Sequence, residues 1–234
     1  MSSFPPEESL KLAIQPRLRT LVADRLREAI ARNRFPPGTR LKERELCELL
    51  GVSRTSVREA MRELESEGLV STQFGRPIVA VLSRQQVEDI YQVRVALEGL
   101  AARLFARRAT AAHLAVLEAA TDALEAVFDQ FDPGPRLVAK TRFYEALFDG
   151  AGNQAAAAML RIIHTKVSLL RATSLANEAR AEQSIREIRA LLAALRARDE
   201  EAAYRLCVEH IQNASQAAMA VLSRTADSNE VARA

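Results

Sequence analysis

The chain has 234 residues, 48% of them hydrophobic and 27% charged, with a net charge of +3. This length suits one large domain or two modest ones. No apolar run approaches the roughly 18 residues that span a bilayer and no signal-peptide pattern opens the chain, so we expect a cytoplasmic protein without a membrane partner. The excess positive charge lies in residues 1–83, which carry 14 Lys and Arg against 11 Asp and Glu, whereas the remainder carries 19 of each. Such an asymmetry is typical of a nucleic-acid footprint.

The first helix is predicted to begin near Leu18, after a flexible arm over residues 1–16. Pro36, Pro37 and Gly38 end it, because proline cannot continue a helix and glycine supplies the turn. Apolar residues recur at helical spacing, which predicts one buried stripe: Leu18, Leu21, Val22, Leu26, Ala29 and Ile30.

Two shorter helices and a hairpin are predicted next. One helix covers 43–50, with Leu46, Leu49 and Leu50 buried, and another runs from the N-cap Ser53 to Gly68. Strands are predicted at 69–73 and 78–81, on either side of a glycine-containing turn over 74–77. A helix, a helix-turn-helix and a hairpin in this order form a winged helix-turn-helix domain, which we place at 17–83.

The rest of the chain is predicted to be helical. Breakers separate six helices at 84–108, 111–130, 135–149, 153–173, 180–198 and 199–223. These helices would form one all-α bundle over 84–225, followed by a frayed tail over 226–234. The fold class is therefore mainly α: an N-terminal winged helix-turn-helix and a C-terminal helical bundle.

The start of the third helix carries a candidate DNA-binding surface. In a helix-turn-helix this helix lies in the major groove, where arginine bonds guanine and hydroxyls reach bases or phosphates. Each arginine taken alone would more often simply solubilise a helical surface, but here polar residues fill one face of the helix while apolar residues fill the other. The candidate DNA-binding residues are Arg44, Ser53, Arg54, Thr55, Ser56, Arg58, and Gly75 and Arg76 at the wing.

The stretch 44–60, together with 37–41 and 64–70, resembles the signature of the GntR family of bacterial transcription regulators. The helical half is similar to the FCD domain of its FadR subgroup. This resemblance implies a homodimer that binds a short inverted-repeat operator in double-stranded DNA, more often as a repressor than as an activator. It also implies DNA contacts from Arg44 on the preceding helix, from Arg54, Thr55, Ser56 and Arg58 on the recognition helix, and from the wing at Gly75. Phe74 and Pro77 depart from the usual wing pattern.

Polar residues interrupt the apolar faces of three helices in the second half. Arg94 and His210 fall on buried stripes, and Lys140 borders the face that contains Tyr144. Buried polar groups on facing helices suggest a cavity for a polar ligand, so these four are the candidate ligand-binding residues. Three alternatives stay open: Arg94 pairs with Glu98 four residues later, Lys140 extends to solvent, and His210 is a satisfied core histidine. His113 and His164 are expected to be surface or packing residues.

The resemblance also implies a divalent-metal site, because most FCD domains hold a metal with one Asp and three His. Aligned residue by residue, the Asp position is Lys140, and the His positions are Tyr144, Ile188 and His210. One ligand of four remains, so we expect no metal and no cofactor. An anionic metabolite, such as a small carboxylate, would then be bound directly by Arg94 and Lys140.

These patterns predict a ligand-responsive transcription regulator, located in the cytoplasm and at the nucleoid when bound to its operator. No nucleophile–base pair, phosphate loop or metal motif is evident, so no catalytic residues are expected and the chain is not predicted to be an enzyme. The alternative is a DNA-binding regulator or scaffold that has lost small-molecule sensing.

Overall fold

The computed structural model describes residues 17–32, 34–127, 133–174 and 178–231. The arm predicted over 1–16 lies outside these ranges. The elements described are α1 (Arg17–Ala31), α2 (Glu43–Leu50), α3 (Arg54–Ser66), β1 (Val70–Gln73), β2 (Arg76–Val79), α4 (Arg84–Arg108), α5 (Ala111–Ala126), α6 (Pro133–Ala151), α7 (Gln154–Ser174), α8 (Glu178–Arg196) and α9 (Glu200–Val231).

The first three helices and the hairpin enclose a small apolar core of their own. Leu26 and Ile30 of α1 pack with Val57 and Leu64 of α3, and all four side chains are buried. Ser53 caps α3 as expected, since its hydroxyl accepts a hydrogen bond from the backbone N–H of Ser56. The winged helix-turn-helix predicted from the sequence is confirmed by this arrangement.

Three leucines predicted to be buried in this domain are exposed: Leu18, Leu21 and Leu49. The buried stripe of α1 begins at Val22 and Ala23 instead. Periodicity predicts which residues share an apolar stripe. It does not predict how much of that stripe a neighbouring helix covers, and here these leucines lie outside the covered part.

The wing turn is tighter than the sequence suggested. Gln73 pairs directly with Arg76, so the turn contains only Phe74 and Gly75, and Arg76 and Pro77 belong to β2 rather than to the turn. Both turn residues have positive φ, 50° at Phe74 and 71° at Gly75. Positive φ at both positions is the requirement of the hairpin turn that matches strand twist. One of the two residues that adopt positive φ in this turn is Phe74, whose side chain is 93% exposed.

Within the described residues the second domain has six helices, of which the first and the last, α4 and α9, make the most extensive contact. Gly99 of α4 permits this approach, because an added Cβ would lie 2.7 Å from a ring carbon of Tyr204. Helices α5 and α6 pack against each other, and α8 packs on α9 and α5. The predicted helical bundle is therefore confirmed.

Several predicted helix ends shift. Helix α4 has its expected bounds, whereas α5 ends at Ala126 rather than at 130, and α6 already begins at Pro133. Helix α9 continues to Val231 instead of ending near 223, so residues 226–231 are helical rather than a frayed tail, and 232–234 lie outside the described residues. Extending an existing helix requires no new nucleation, which explains the overrun.

The two domains contact each other mainly through α1 and α7. Lys166 of α7 also reaches Gly68 at the end of α3, where an added Cβ would lie 2.9 Å from the lysine Cε. A shift of α7 would therefore displace residues of the first domain. Among the helices of the described residues, none combines the length and apolarity that crossing a bilayer requires.

Candidate functional site

The start of α3 presents polar side chains to solvent. Arg54 and Thr55 are exposed and Ser56 is half-buried, whereas Val57 and Met61 on the opposite face are buried. The hydroxyl of Ser53 also lies 3.1 Å from that of Ser56. This division fixes one face of α3 in the core and leaves the polar face free for a partner.

Arg58 does not extend freely from α3, because it is held by Glu43 of α2. Its guanidinium donates two hydrogen bonds to that carboxylate, at 3.0 and 2.9 Å. The hydrogen bond from Arg58 lowers the pKa of Glu43 and raises that of Arg58. Sequence reasoning singled out Arg58 but missed Glu43, because the two residues lie on different helices.

The remaining candidate DNA-binding residues are also accessible. Arg44 on α2 is exposed and lies 4.0 Å from Glu48. Gly75 and Arg76 are exposed at the wing, with Gly75 in the left-handed conformation. The candidate residues therefore lie on the accessible surfaces of α2, α3 and the hairpin.

In the second domain, Arg94 forms a buried ion pair with Glu98. Nε of Arg94 donates to Oε1 of Glu98 at 2.6 Å, and the two side chains are 1% and 0% exposed. His164 of α7 approaches the same carboxylate oxygen, with its Nε2 at 2.9 Å. A carboxylate only accepts hydrogen bonds, so this nitrogen of His164 is the donor. Burial would raise the pKa of Glu98, but the charge of Arg94 and then His164 lower it below its usual range.

Arg94 also connects this pair to three further helices. It donates to the hydroxyl of Tyr144 at 3.3 Å, and that hydroxyl lies 3.2 Å from Nε2 of His210. Nδ1 of His210 lies 2.6 Å from Glu187. We call these residues the buried polar chain: His164, Glu98, Arg94, Tyr144, His210 and Glu187. Among the described helices of the bundle, α4, α6, α7, α8 and α9 contribute to it.

The protonation state of His210 follows from its surroundings. Burial lowers its pKa to about 4, partly offset by the hydrogen bond to Glu187 and reinforced by the charge of Lys140. His210 is therefore neutral near pH 7, donating from Nδ1 to Glu187 and accepting from Tyr144 at Nε2. A neutral, hydrogen-bonded histidine was one of the alternatives that the sequence left open.

Lys140 lies one helical turn before Tyr144 on α6. Its side chain is buried and its Nζ donates to the hydroxyl of Ser184 on α8 at 3.0 Å. The alternative in which Lys140 extends to solvent is therefore wrong. The structure brings Arg94, Tyr144 and His210 into a continuous series of hydrogen bonds and places Lys140 near them. The charge of Arg94, however, is neutralised by the ion pair with Glu98, which was the other alternative left open by the sequence.

Comparison with known proteins accounts for both halves of the molecule. The family model for bacterial regulatory proteins of the gntR family matches residues 18–79, and the FCD domain model matches residues 89–213, more than half of the chain. The chain belongs to the GntR family. It is a DNA-binding transcriptional regulator with a C-terminal FCD ligand-binding domain.

Individual GntR-family relatives are similar over most of the chain. The uncharacterized HTH-type transcriptional regulator YdhC of Bacillus subtilis is 28% identical, covering 81% of this chain and 86% of the relative. A probable D-xylose utilization operon transcriptional repressor of Paenarthrobacter nicotinovorans is 29% identical, with coverage of 90% and 92%. The solved structure of Escherichia coli McbR/YncC superposes with a TM-score of 0.77 at 24% identity, covering 87% of this chain and 98% of that one, and shows the fold alone.

The family's metal site does not fit the residues present at its four positions. Ile188 is fully buried and has no donor atom, and Lys140 adds positive charge beside His210. Both ring nitrogens of His210 already face Glu187 and Tyr144. Within the described ranges, no group of three or more His, Cys, Asp or Glu is arranged to hold a metal ion.

Three residues that bond the candidate ligand-binding side chains or their ion-pair partner were missed by sequence reasoning: Glu187, Ser184 and His164. The expectation that His164 is a surface or packing residue was wrong, since it bonds Glu98 across 66 residues. His113 instead takes part in the capping box of α5, accepting from the backbone N–H of Thr110. A signal for Glu187 is present in the sequence, because this residue directly precedes the aligned metal-ligand position Ile188.

Proposed function

We propose that the protein is a ligand-responsive repressor that binds a short inverted-repeat operator as a homodimer and is released or retuned by a small organic acid. The observation that carries the ligand response is the buried polar chain. It links α7, which contacts α1 of the DNA-binding domain, to the core of the FCD domain. The probable repressor among its relatives supports repression, and binding to operator DNA implies action in the cytoplasm at the nucleoid.

In this proposal Lys140 and the Tyr144 hydroxyl hold the effector carboxylate, and His210 takes up the proton of the incoming acid at Nε2 so that it can donate a hydrogen bond to the same carboxylate. A carboxylate displaces the Ser184 hydroxyl from the ammonium, since a charge-assisted hydrogen bond is stronger than a neutral one. Arg94 contributes by holding the Tyr144 hydroxyl rather than by binding the anion alone, because its charge is compensated by Glu98.

On the DNA side we assign the base and phosphate contacts to the exposed candidates at the start of α3, with Arg44 and the wing flanking them. Arg54 is the leading base-reading residue, because it is exposed at the helix start and has no carboxylate within bonding distance among the described residues. Arg58 must exchange Glu43 for a DNA phosphate or base. The amides at the start of α3 favour phosphate further.

The dimer is supported by apolar side chains left exposed on neighbouring helices. Val93 and Leu100 of α4 and Met159 and Ile162 of α7 are all exposed, and α4 packs against α7. Exposed apolar surface of this kind marks protein interfaces. A two-fold dimer through this face pairs identical surfaces and matches an inverted-repeat operator.

A second candidate, a regulator that no longer senses small molecules, is favoured by one observation. Each member of the buried polar chain already forms a hydrogen bond with another member, so these side chains have hydrogen-bond partners without a ligand. In this case the cluster would serve only to fix the packing of the bundle.

One experiment separates the two candidates. The full chain is screened by thermal shift against small carboxylates, and each hit is tested for release of a labelled operator in fluorescence anisotropy. The proposal expects at least one acid that raises Tm and alters DNA affinity, and expects Lys140→Met to lose both effects while still binding operator. Hits whose effects are unchanged in Lys140→Met would place the effector elsewhere. No responsive acid would favour the second candidate.

A further inference from the structure

A cavity of about 460 Å³ lies between the two domains, outside the buried polar chain. Helix α1 forms one wall, and α6 and α7 form the others. Ala31, Leu137 and Val138 supply apolar surface, and His164 lines the cavity while bonding Glu98 behind it. Its volume lies within the range of roughly 300–1,000 Å³ that is typical of small-molecule sites.

A second cavity, of about 620 Å³, adjoins the first at three shared residues, Arg32, Val138 and Arg142. Arg34 also lines it, so three arginines face this space, and none of its described lining residues is a carboxylate. The junction of the two cavities therefore combines apolar surface with a positively charged end.

The carboxylates of the first cavity are already occupied by their own partners. Glu28 pairs with Arg32 at 2.7 Å and Glu145 with Arg161 at 2.7 Å, while Asp24 bonds Arg27. In contrast, the guanidinium groups of Arg34 and Arg142 have no ion-pair partner in the described parts of the chain. The positive charge available to a ligand is therefore concentrated where the cavities meet.

We propose that this junction is a second ligand site, which binds an amphipathic organic anion. The apolar body lies in the first cavity against Leu137 and Val138, and the acidic group is held at Arg142 with Arg34 beside it. Charge complementarity selects an anion, because a bound acid forms charge-assisted bonds with arginines that otherwise face solvent. Apolar contact selects a hydrocarbon body over a bare inorganic ion.

Such a ligand would touch both domains at once. Arg32 and Ala31 belong to the DNA-binding domain, whereas Val138 and Arg142 belong to the FCD domain. A molecule that contacts both sides stabilises the arrangement in which both are within reach, and so couples its own binding to that of DNA. This site is distinct from the effector position proposed at Lys140, although His164 belongs both to the cavity wall and to the buried polar chain.

The test uses isothermal titration of the full chain with sodium octanoate, octanol and inorganic phosphate. We expect octanoate to bind more tightly than either of the others, since it alone carries both features. Arg142→Gln should weaken octanoate binding by about tenfold or more. Arg108→Gln is the matched control, because Arg108 is also exposed and unpaired within the described residues but lies at the end of α4, away from both cavities.

Other outcomes overturn the proposal. Equal affinity for octanol means that the arginines contribute nothing, and equal affinity for phosphate means that the apolar surface contributes nothing. If Lys140→Met abolishes octanoate binding while Arg142→Gln leaves it intact, the acid occupies the buried polar chain instead. If Arg142→Gln weakens binding to all DNA sequences alike but leaves octanoate binding unchanged, Arg142 contacts the DNA backbone.

Discussion

His210 gives the buried polar chain a pH dependence whose sign can be worked out. Its pKa is about 4 when folded and about 6.5 when unfolded, so between these values the unfolded chain binds a proton that the folded one does not. The free energy of unfolding should therefore fall as pH drops from 6.5 towards 4, by roughly 3 kcal/mol in total.

Urea unfolding at pH 7, 6 and 5 measures this loss. The pKa of Glu187 is lowered, so loss of its charge destabilises the fold only at still lower pH and does not contribute to the slope above pH 5. His210→Gln should flatten the slope, because the variant lacks the imidazole that takes up a proton on unfolding. An equal slope in His210→Gln would contradict the assignment of a neutral buried imidazole.

The buried ion pair predicts a large effect from a small change at Glu98. Glu98→Gln leaves Arg94 charged and buried without its counter-ion, and should lower the free energy of unfolding by about 3–5 kcal/mol. The matched control is Glu182→Gln, which breaks an exposed pair with Arg186 on α8 and should cost less than about 1 kcal/mol. Urea denaturation compares the two, and similar costs would mean that the Arg94 pair is hydrated in solution.

The metal-ligand positions lead to a compositional prediction. Lys140, Tyr144 and Ile188 stand where the family resemblance places an Asp and two His, so the purified protein should hold no stoichiometric zinc, nickel or manganese. Elemental analysis after dialysis checks this, with a thermal-shift comparison before and after chelator. About one tightly held metal per chain would show that the alignment of these helices is wrong.

At the scale of single elements, α3 carries the sharpest prediction. Arg54→Ala should weaken operator binding by roughly 1–3 kcal/mol and relax sequence preference if it reads a base, because its side chain lies exposed at the helix start. Arg62→Ala is the control, since Arg62 is exposed on the same helix but bonds Glu59. Fluorescence anisotropy with operator and scrambled DNA measures both, and wild-type affinity in Arg54→Ala and Arg58→Ala would refute the assignment of α3.

The sequence predicted elements better than it predicted their contacts. Helix α4 was placed to the residue, because Ser83 caps it and Thr110 caps the next helix. The hairpin turn was placed two residues too long, since Arg76 and Pro77 are poor strand residues that pair nonetheless. A local pattern specifies where a helix begins, whereas strand pairing depends on the partner strand.

The buried polar chain shows where prediction from one sequence ends. Arg94 and Glu98 are four residues apart on one helix, so their pairing was foreseeable. His164 and Glu187 bond partners that lie 66 and 23 residues away in the sequence. Helical periodicity predicts which face of a helix is buried, but not which residue of another helix that face will contact. The sequence therefore predicted which helix faces carry buried polar residues, but not most of the side chains that bond them.

At the scale of the whole molecule, the exposed apolar face of α4 and α7 predicts how two copies associate. Leu100→Glu combined with Met159→Glu should convert a dimer to monomers, because two charges would be buried at an isologous interface. Val116→Glu on α5 is the matched control, exposed but on another helix. Sedimentation velocity measures the oligomeric state. In the double variant, the footprint over an inverted repeat should also shrink to weak binding at a half-site. A double variant that stays dimeric would mean that the interface lies elsewhere.

The contact between α4 and α9 also sets an order of events during synthesis. The core of the DNA-binding domain draws only on residues 22–82, so it can close while the ribosome is still translating the bundle. The FCD core cannot be completed until α9 has been synthesised, because α9 packs against α4 and carries His210, which bonds Tyr144 on α6 and Glu187 on α8. We therefore expect each new chain to pass through an interval in which a folded DNA-binding domain is attached to an incomplete FCD domain. In that interval the helix-turn-helix surface would be complete while the pocket proposed for the effector would still lack His210.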